Sequence, residues 1–183
     1  DIRPSRGLGD VYKRQMKRRL ILMRHGKSSW ADGGISDHDR PLKSRGYRSA
    51  GLVAHFLRER DLLPEKVLCS TAVRASSTWD EVARISGWNR KRLDCEVLYL
   101  AVPDVIVATI QDLSETATSV LVVGHNPGME DLAGNWLGRF GPFPTAAIAL
   151  LEFDLPSWEQ LSLQTMPARS EFWTPKDLSL IHI

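Results

Sequence analysis

In the stretch LILMRHGKSS an apolar run, Leu20 to Met23, is followed at once by a guanidinium and an imidazole, Arg24 and His25. Two later segments have the same form. KVLCSTAVR carries Arg74 shortly after an apolar run, and SVLVVGHN carries His125 directly after one. These residue types share one chemical aptitude. The planar fork of an arginine matches the oxygens of a phosphoryl group. A neutral imidazole has a nitrogen lone pair that can attack phosphorus and form a phosphohistidine, which divides one hard displacement into two easier ones. Cationic neighbours hold that imidazole neutral and stabilise charge on the equatorial oxygens in the transition state.

For this chemistry the three segments must meet, and the chain pattern supplies the means. RLILM, KVLCS and SVLVVGH read as buried strands because they are continuously apolar, and EVLYL reads as a third, peripheral strand between the last two. Helices are expected between them. SRGYRSAGLVAHFLRER carries Leu52, Val53, Phe56 and Leu57 on one stripe, and TAVRASSTWDEVARIS is closed by Gly87. PDVIVATIQDLSE opens on a proline suited to a helical first turn and turns Ile106, Ile110 and Leu113 inward. PGMEDLAGNWLG follows with Met129, Leu132, Ala133, Trp136 and Leu137 at helical spacing, and AAIALLEF and QLSLQTM read as a closing strand pair. This alternation predicts an α/β domain, a three-layer sandwich with a mainly parallel central sheet and helices on both faces. Ligands of such sheets bind beyond the carboxyl ends of the strands. If the three strands are neighbours, Arg24, His25, Arg74 and His125 converge on one rim. Four potentially cationic side chains there call for an anion, and a dianionic phosphoryl group suits them. Helix N-termini after GKSS and GHNPG would add backbone N–H donors.

The chain has 183 residues, of which 43% are hydrophobic and 25% charged, as in an ordinary globular protein. No apolar run approaches a membrane span, and no secretory signal is visible. The opening DIRPSRGLGDVYKRQ and the closing SLIHI look foreign, so residues 1–15 and 179–183 are expected to be non-native flanks around a single domain, 16–178. Setting them aside removes four basic and two acidic residues from totals of 24 and 22, which leaves no net charge. The basic excess is therefore no argument for a nucleic-acid or membrane partner. Cys69 and Cys95 follow no metal or redox spacing and are expected to be reduced thiols of a cytoplasmic protein.

LILMRHGKSS, LCSTAVRASST and LVVGHNPGMEDLA, in this order, resemble the motifs of the histidine phosphatase (phosphoglycerate mutase-like) superfamily. With SDHDRPLKSRG between the first two and no large insertion, the chain looks like the SixA-type phosphohistidine phosphatases. The resemblance implies that His25 is the phosphorylated nucleophile, that Arg24, Arg74 and Arg40 bind phosphate, and that His125 contacts the transferring group. Lys27, Ser28 and Asn126 are further candidates for phosphate contact. No counterpart is found of the glutamate acid of the larger branches, so Asp37 is nominated in its place. A phosphohistidine needs little help from an acid, because its imidazole is already a good leaving group. No cofactor is implied, and no metal, since arginines take the place of the cation and no carboxylate or thiolate accompanies the histidines at ligand spacing.

The expected function is that of a metal-independent phosphatase working through phospho-His25. Its expected substrate is a phosphohistidine in a signalling or phosphorelay protein. A small-molecule phosphomonoesterase and a phosphate-binding module without turnover stand as alternatives, with a small phosphate ester as substrate of the former. Of six tryptophans, Trp30 is the one expected at the mouth of the pocket.

Overall fold

The structure, a computed structural model, describes residues 7–9 and 16–181. The remainder of the flanks, 1–6, 10–15 and 182–183, lies outside the described residues.

Six strands form one sheet: β1 (Lys17–Arg24), β2 (Lys66–Ser70), β3 (Leu93–Cys95), β4 (Ser119–Gly124), β5 (Ile148–Asp154) and β6 (Arg169–Trp173), in the order β3-β2-β4-β1-β5-β6. The pairs β1–β4, β2–β4 and β2–β3 are parallel, whereas β5 runs antiparallel to β1 and β6 to β5. It is flanked by the helices α1 (Ser44–Glu59), α2 (Val73–Ser86), α3 (Pro103–Leu113), α4 (Gly128–Leu137) and α5 (Pro175–Ile181). Strand side chains alternate between the two faces. Leu20, Leu22, Val120 and Val122 pack with Ile106 and Ile110 of α3 and Met129, Leu132 and Trp136 of α4. Ile21, Met23, Leu121 and Val123 pack with Val53 and Leu57 of α1, Trp79 and Val82 of α2, and Leu178 of α5. This is the expected three-layer α/β sandwich, and β2, β4 and β1 are adjacent, as convergence of the three motifs requires. Cys69 and Cys95 are free thiols in the two different layers. Among the described residues no helix is long and apolar enough to cross a membrane.

Three local expectations fail. EVLYL is no strand: β3 ends at Cys95, and Glu96–Leu98 form a single 3-10 turn that buries Leu98 and exposes Val97 and Leu100. QLSLQTM is no strand either. Leu161 anchors it in the core, but its carbonyls serve helices: Gln111 Nε2 donates to Leu161 O and Asn135 Nδ2 to Leu163 O. Its hydroxyls fold it locally, with Thr165 Oγ1 accepting from Ser162 N–H, so β5 pairs instead with Arg169–Trp173. Leu113, expected inward, is exposed at the end of α3, and Val107 takes the core position. The helix α5 continues to Ile181 and so includes part of the segment set aside as a flank.

Gly128 is required by a close approach of backbone to backbone. A Cβ on Gly128, the first residue of α4, would stand 1.8 Å from the carbonyl oxygen of Ala101. Backbone must move to admit it, so Gly128→Ala is expected to lower stability by about 2–3 kcal/mol. An unchanged urea midpoint would show that the α3 and α4 entries are not locked together.

Candidate active site

The parallel strands deliver their side chains to one end of the sheet. Arg24 is the last residue of β1 and His25 follows it; Ser70 ends β2, and Arg74 lies in the first turn of α2; His125 follows β4. The chain turns sharply at these ends. His25 N–H donates to Gly124 O at 3.1 Å, and Ala146 N–H is shared between Arg24 O at 3.1 Å and His25 O at 2.9 Å. Thr78 ties this loop to α2, with its Oγ1 accepting Gly26 N–H at 2.9 Å and donating to Arg74 O at 2.6 Å.

Arg24, His25, Arg74 and His125 line one cleft of about 340 Å³, with Lys27, Ser28, Trp30, Asp37, Arg40, Leu100, Asn126 and Thr145. Every site residue expected from the sequence is therefore at this cleft. Its lining holds the cations of Arg24, Lys27, Arg40 and Arg74 against the single carboxylate of Asp37.

His25 is nearly buried, and its two nitrogens have distinct partners. Nδ1 lies 2.7 Å from Gly26 O, which can only accept, so Nδ1 carries the proton. Nε2 receives Arg74 Nε–H at 3.3 Å, so Nε2 carries the lone pair. Burial pulls the pKa of His25 down to about 3, and the guanidiniums of Arg74, Arg24 and Arg40 add to this against the Gly26 carbonyl, which favours the protonated ring. The result is a neutral imidazole with its basic nitrogen oriented by an arginine. The rings of His25 and His125 have centroids 5.1 Å apart. His125 is likewise held to about 3, by burial first and then by His25 and Arg74.

Asp37 joins two of the arginines. Arg74 donates through Nη1 to the Asp37 backbone carbonyl at 2.6 Å and through Nη2 to Oδ2 at 3.1 Å. Arg40 donates through Nε to Oδ1 at 3.1 Å, and its guanidinium stacks on the exposed Trp30 ring, 3.4 Å from the centroid. Tyr99 O–H also donates to Oδ2. These donors, Tyr99 first, hold the Asp37 carboxyl down at about 2. A group ionised at neutral pH has no proton to give, which corrects the nomination of Asp37 as the acid: its geometry is that of a bracket for Arg74 and Arg40.

The side chain of Asn126 is committed elsewhere. Both protons of its Nδ2 are engaged, by Glu130 Oε2 at 3.1 Å and Phe143 O at 2.9 Å, so its amide group keeps no donor for a phosphoryl oxygen. Asn126, Glu130 and the Phe143 peptide instead form a brace for Arg24, whose Nη1 donates to Phe143 O at 3.1 Å. Burial lowers the pKa of Arg24, and Glu130 opposes this. Ser28 is buried beside an isolated bridge to Leu42, whereas Lys27 is exposed at the mouth. Tyr99 and Thr78 were missed. The first lay in a segment misread as a strand, and the second in a helix read only for Arg74 and its closing Gly87. His38 packs against Tyr99 with ring centroids 4.9 Å apart and meets Thr71 Oγ1 at 2.9 Å.

The depressed histidines set a pH window for stability. Unfolded imidazoles take up protons below about pH 6.5, but the folded ones only near 3, so the unfolded state binds more protons between these values. Stability is therefore expected to fall as pH drops from about 6.5 towards about 3. Asp37 acts lower, its contribution being present above the unfolded carboxyl value and lost as pH falls through about 2. Urea midpoints measured from pH 7 to 4 check this, and a flat profile would contradict buried neutral histidines.

The model of the histidine phosphatase superfamily (branch 1) matches residues 20–95. An uncharacterized protein of Mycobacterium tuberculosis is 42% identical over 140 residues, spanning 70% of this chain and 85% of the relative. The phosphohistidine phosphatase SixA of Escherichia coli is 31% identical over 153 residues, spanning 74% and 85% respectively. A solved structure of the protein histidine phosphatase SixA complexed with tungstate superposes with a TM-score of 0.70 at 28% identity, covering 87% of this chain and 99% of the other. With the sequence motifs, the sheet order and the paired histidines all in agreement, the chain belongs to the histidine phosphatase superfamily, is SixA-like, and is a histidine-nucleophile phosphatase.

Proposed function

We propose that the protein removes the phosphoryl group from phosphohistidine in a partner protein, without a metal, through a phosphorylated His25. One observation carries the substrate choice. The single carboxylate lining the cleft is fixed as an ion between two arginines, so the lining offers no carboxylic acid to a poor leaving group. A phosphoramidate needs none, because its imidazole leaves as a stable neutral ring when its far nitrogen is protonated. An alkoxide leaving group would need a proton at the moment of cleavage.

The steps follow from the geometry. Arg74, Arg24 and Arg40 receive the phosphoryl oxygens, and Arg74 turns its donors from the histidine to the anion. The Nε2 lone pair of His25 forms a bond to phosphorus as the bond to the substrate imidazole breaks, and that electron pair returns to the departing nitrogen. Throughout, Gly26 O holds the Nδ1 proton of His25 and stabilises the positive ring. Water then attacks the phosphorus of phospho-His25, the N–P bond breaks back to Nε2, and inorganic phosphate leaves. Three guanidiniums supply the charge that a metal supplies elsewhere. Tungstate, which the SixA structure binds, is a tetrahedral dianion like phosphate, in keeping with an oxyanion site here.

The test is phosphate release from a phosphohistidine-bearing domain with a chelator present, beside a panel of small phosphate esters. Chelator-insensitive release with a higher kcat/KM than on any ester supports the proposal. Preference for an ester would make the protein a small-molecule phosphomonoesterase.

A further inference from the structure

Ser70, the last residue of β2, is fully buried. Its hydroxyl has two polar neighbours. Ala72 N–H donates to Oγ at 3.3 Å, and His125 Nε2 lies 2.7 Å from it. A hydroxyl carries one proton and can donate it once, while an amide N–H offers no lone pair. Of these two neighbours, only the His125 ring nitrogen can accept the Ser70 proton. A buried hydroxyl that donates to nothing is a costly arrangement that folded proteins avoid. Ser70 therefore donates to Nε2, which must then be unprotonated. The single proton of the neutral His125 ring stands on Nδ1. That nitrogen is buried and has no hydrogen-bond partner among the described residues. Tyr99 meets the ring only edge-on, with centroids 5.4 Å apart.

A buried N–H without an acceptor, on a residue lining an anion cleft, is a donor awaiting a ligand. We propose that Ser70 is a positioning residue: its hydroxyl fixes His125 as the Nδ1–H tautomer, so that Nδ1–H donates to the phosphoryl group held against His25. In the other tautomer Nδ1 would present a lone pair to an anion, and the Ser70 proton would be stranded. Preorganised donors of this kind act without reorganisation at the moment of reaction. The inference rests on the reading of the cleft as a phosphoryl site and adds to it the group that sets the ring's polarity.

Long-range 1H–15N spectra of the full chain, with His125 assigned by comparison to His125→Gln, read the tautomer directly and need no turnover. Protonation at Nδ1 is expected, and protonation at Nε2 overturns the proposal. Titration with tungstate should then shift the Nδ1–H resonance as it gains an acceptor; saturation without a shift overturns it too. Ser70→Ala is expected to mix the tautomers and weaken tungstate binding about tenfold, as for loss of one hydrogen bond to a charged group. In the His125→Gln background the same change should cost nothing further, because the serine acts through that ring. An equal loss in both backgrounds would mark Ser70 as merely structural and overturn the proposal. Failure to hydrolyse any phosphorylated substrate would instead sink the phosphatase reading, since tungstate binding and tautomer are measured separately.

Discussion

His25→Ala is expected to lower phosphate release by about 10⁴-fold or more, to the level left by binding and electrostatics alone. The arginine donors and His125 remain in place in this variant, so substrate can still bind, but no nucleophilic nitrogen is left at position 25 to receive the phosphoryl group. Alanine removes a ring whose Nδ1–H bonds only the adjacent Gly26 carbonyl, so the fold should survive. Rapid acid-free quenching with radiolabelled substrate provides the check. The natural protein should yield an acid-labile, alkali-stable phosphoenzyme, and the variant none. Full turnover by His25→Ala would overturn the nucleophile assignment. His125→Ala with undiminished phosphoenzyme but slow release would leave it standing.

Arg74 should be the next most damaging position. Its guanidinium touches His25 Nε2 through Nε, the Asp37 backbone carbonyl through Nη1, and the Asp37 carboxylate through Nη2. It therefore orients the attacking lone pair before substrate arrives and can meet phosphoryl oxygens afterwards. Loss of one such transition-state donor costs about 10²–10³ in kcat. Arg74→Lys is expected to fall within that range and not to rescue the function. An ammonium is a point charge without the fork, and it cannot reach the imidazole and the carboxylate at once. The informative measurement is kcat and KM for Arg74→Lys beside Arg40→Lys. Arg40 stacks on exposed Trp30 at the mouth and should affect KM more than kcat. Wild-type kcat in Arg74→Lys would mean that positive charge alone is sufficient.

The sequence determined the elements that bury themselves by continuous apolar runs and strong helical stripes. β1, β2 and β4 were legible because a strand covered on both faces must be apolar at every position. Their polar ends at Arg24-His25, CSTAVR and GHN were legible for the same reason, since a guanidinium cannot remain inside such a strand. The short outer strands were not. In EVLYL and QLSLQTM local apolar content is moderate; the first closes into a 3-10 turn with Tyr99 N–H on Glu96 O, and in the second α3 and α4 claim the Leu161 and Leu163 carbonyls. That competition is decided across dozens of residues and leaves no local pattern.

The same division runs through the site. Residue type and spacing marked the two histidines with Arg24 and Arg74, because the chemistry needs those groups and few others, and the family resemblance added Arg40. Whether the motifs met depended on the adjacency of β2, β4 and β1, which only the tertiary structure decides. It also decided protonation. Asp37 as a loop residue could have been an acid, but with two guanidiniums and Tyr99 around it, it is a fixed anion. The side chain of Asn126 could have met phosphate, but Glu130 and Phe143 O engage both protons of its Nδ2. A side chain's identity sets what it can donate or accept. Its hydrogen-bond partners and its distance from water, which the fold supplies, set which of those capacities remains available.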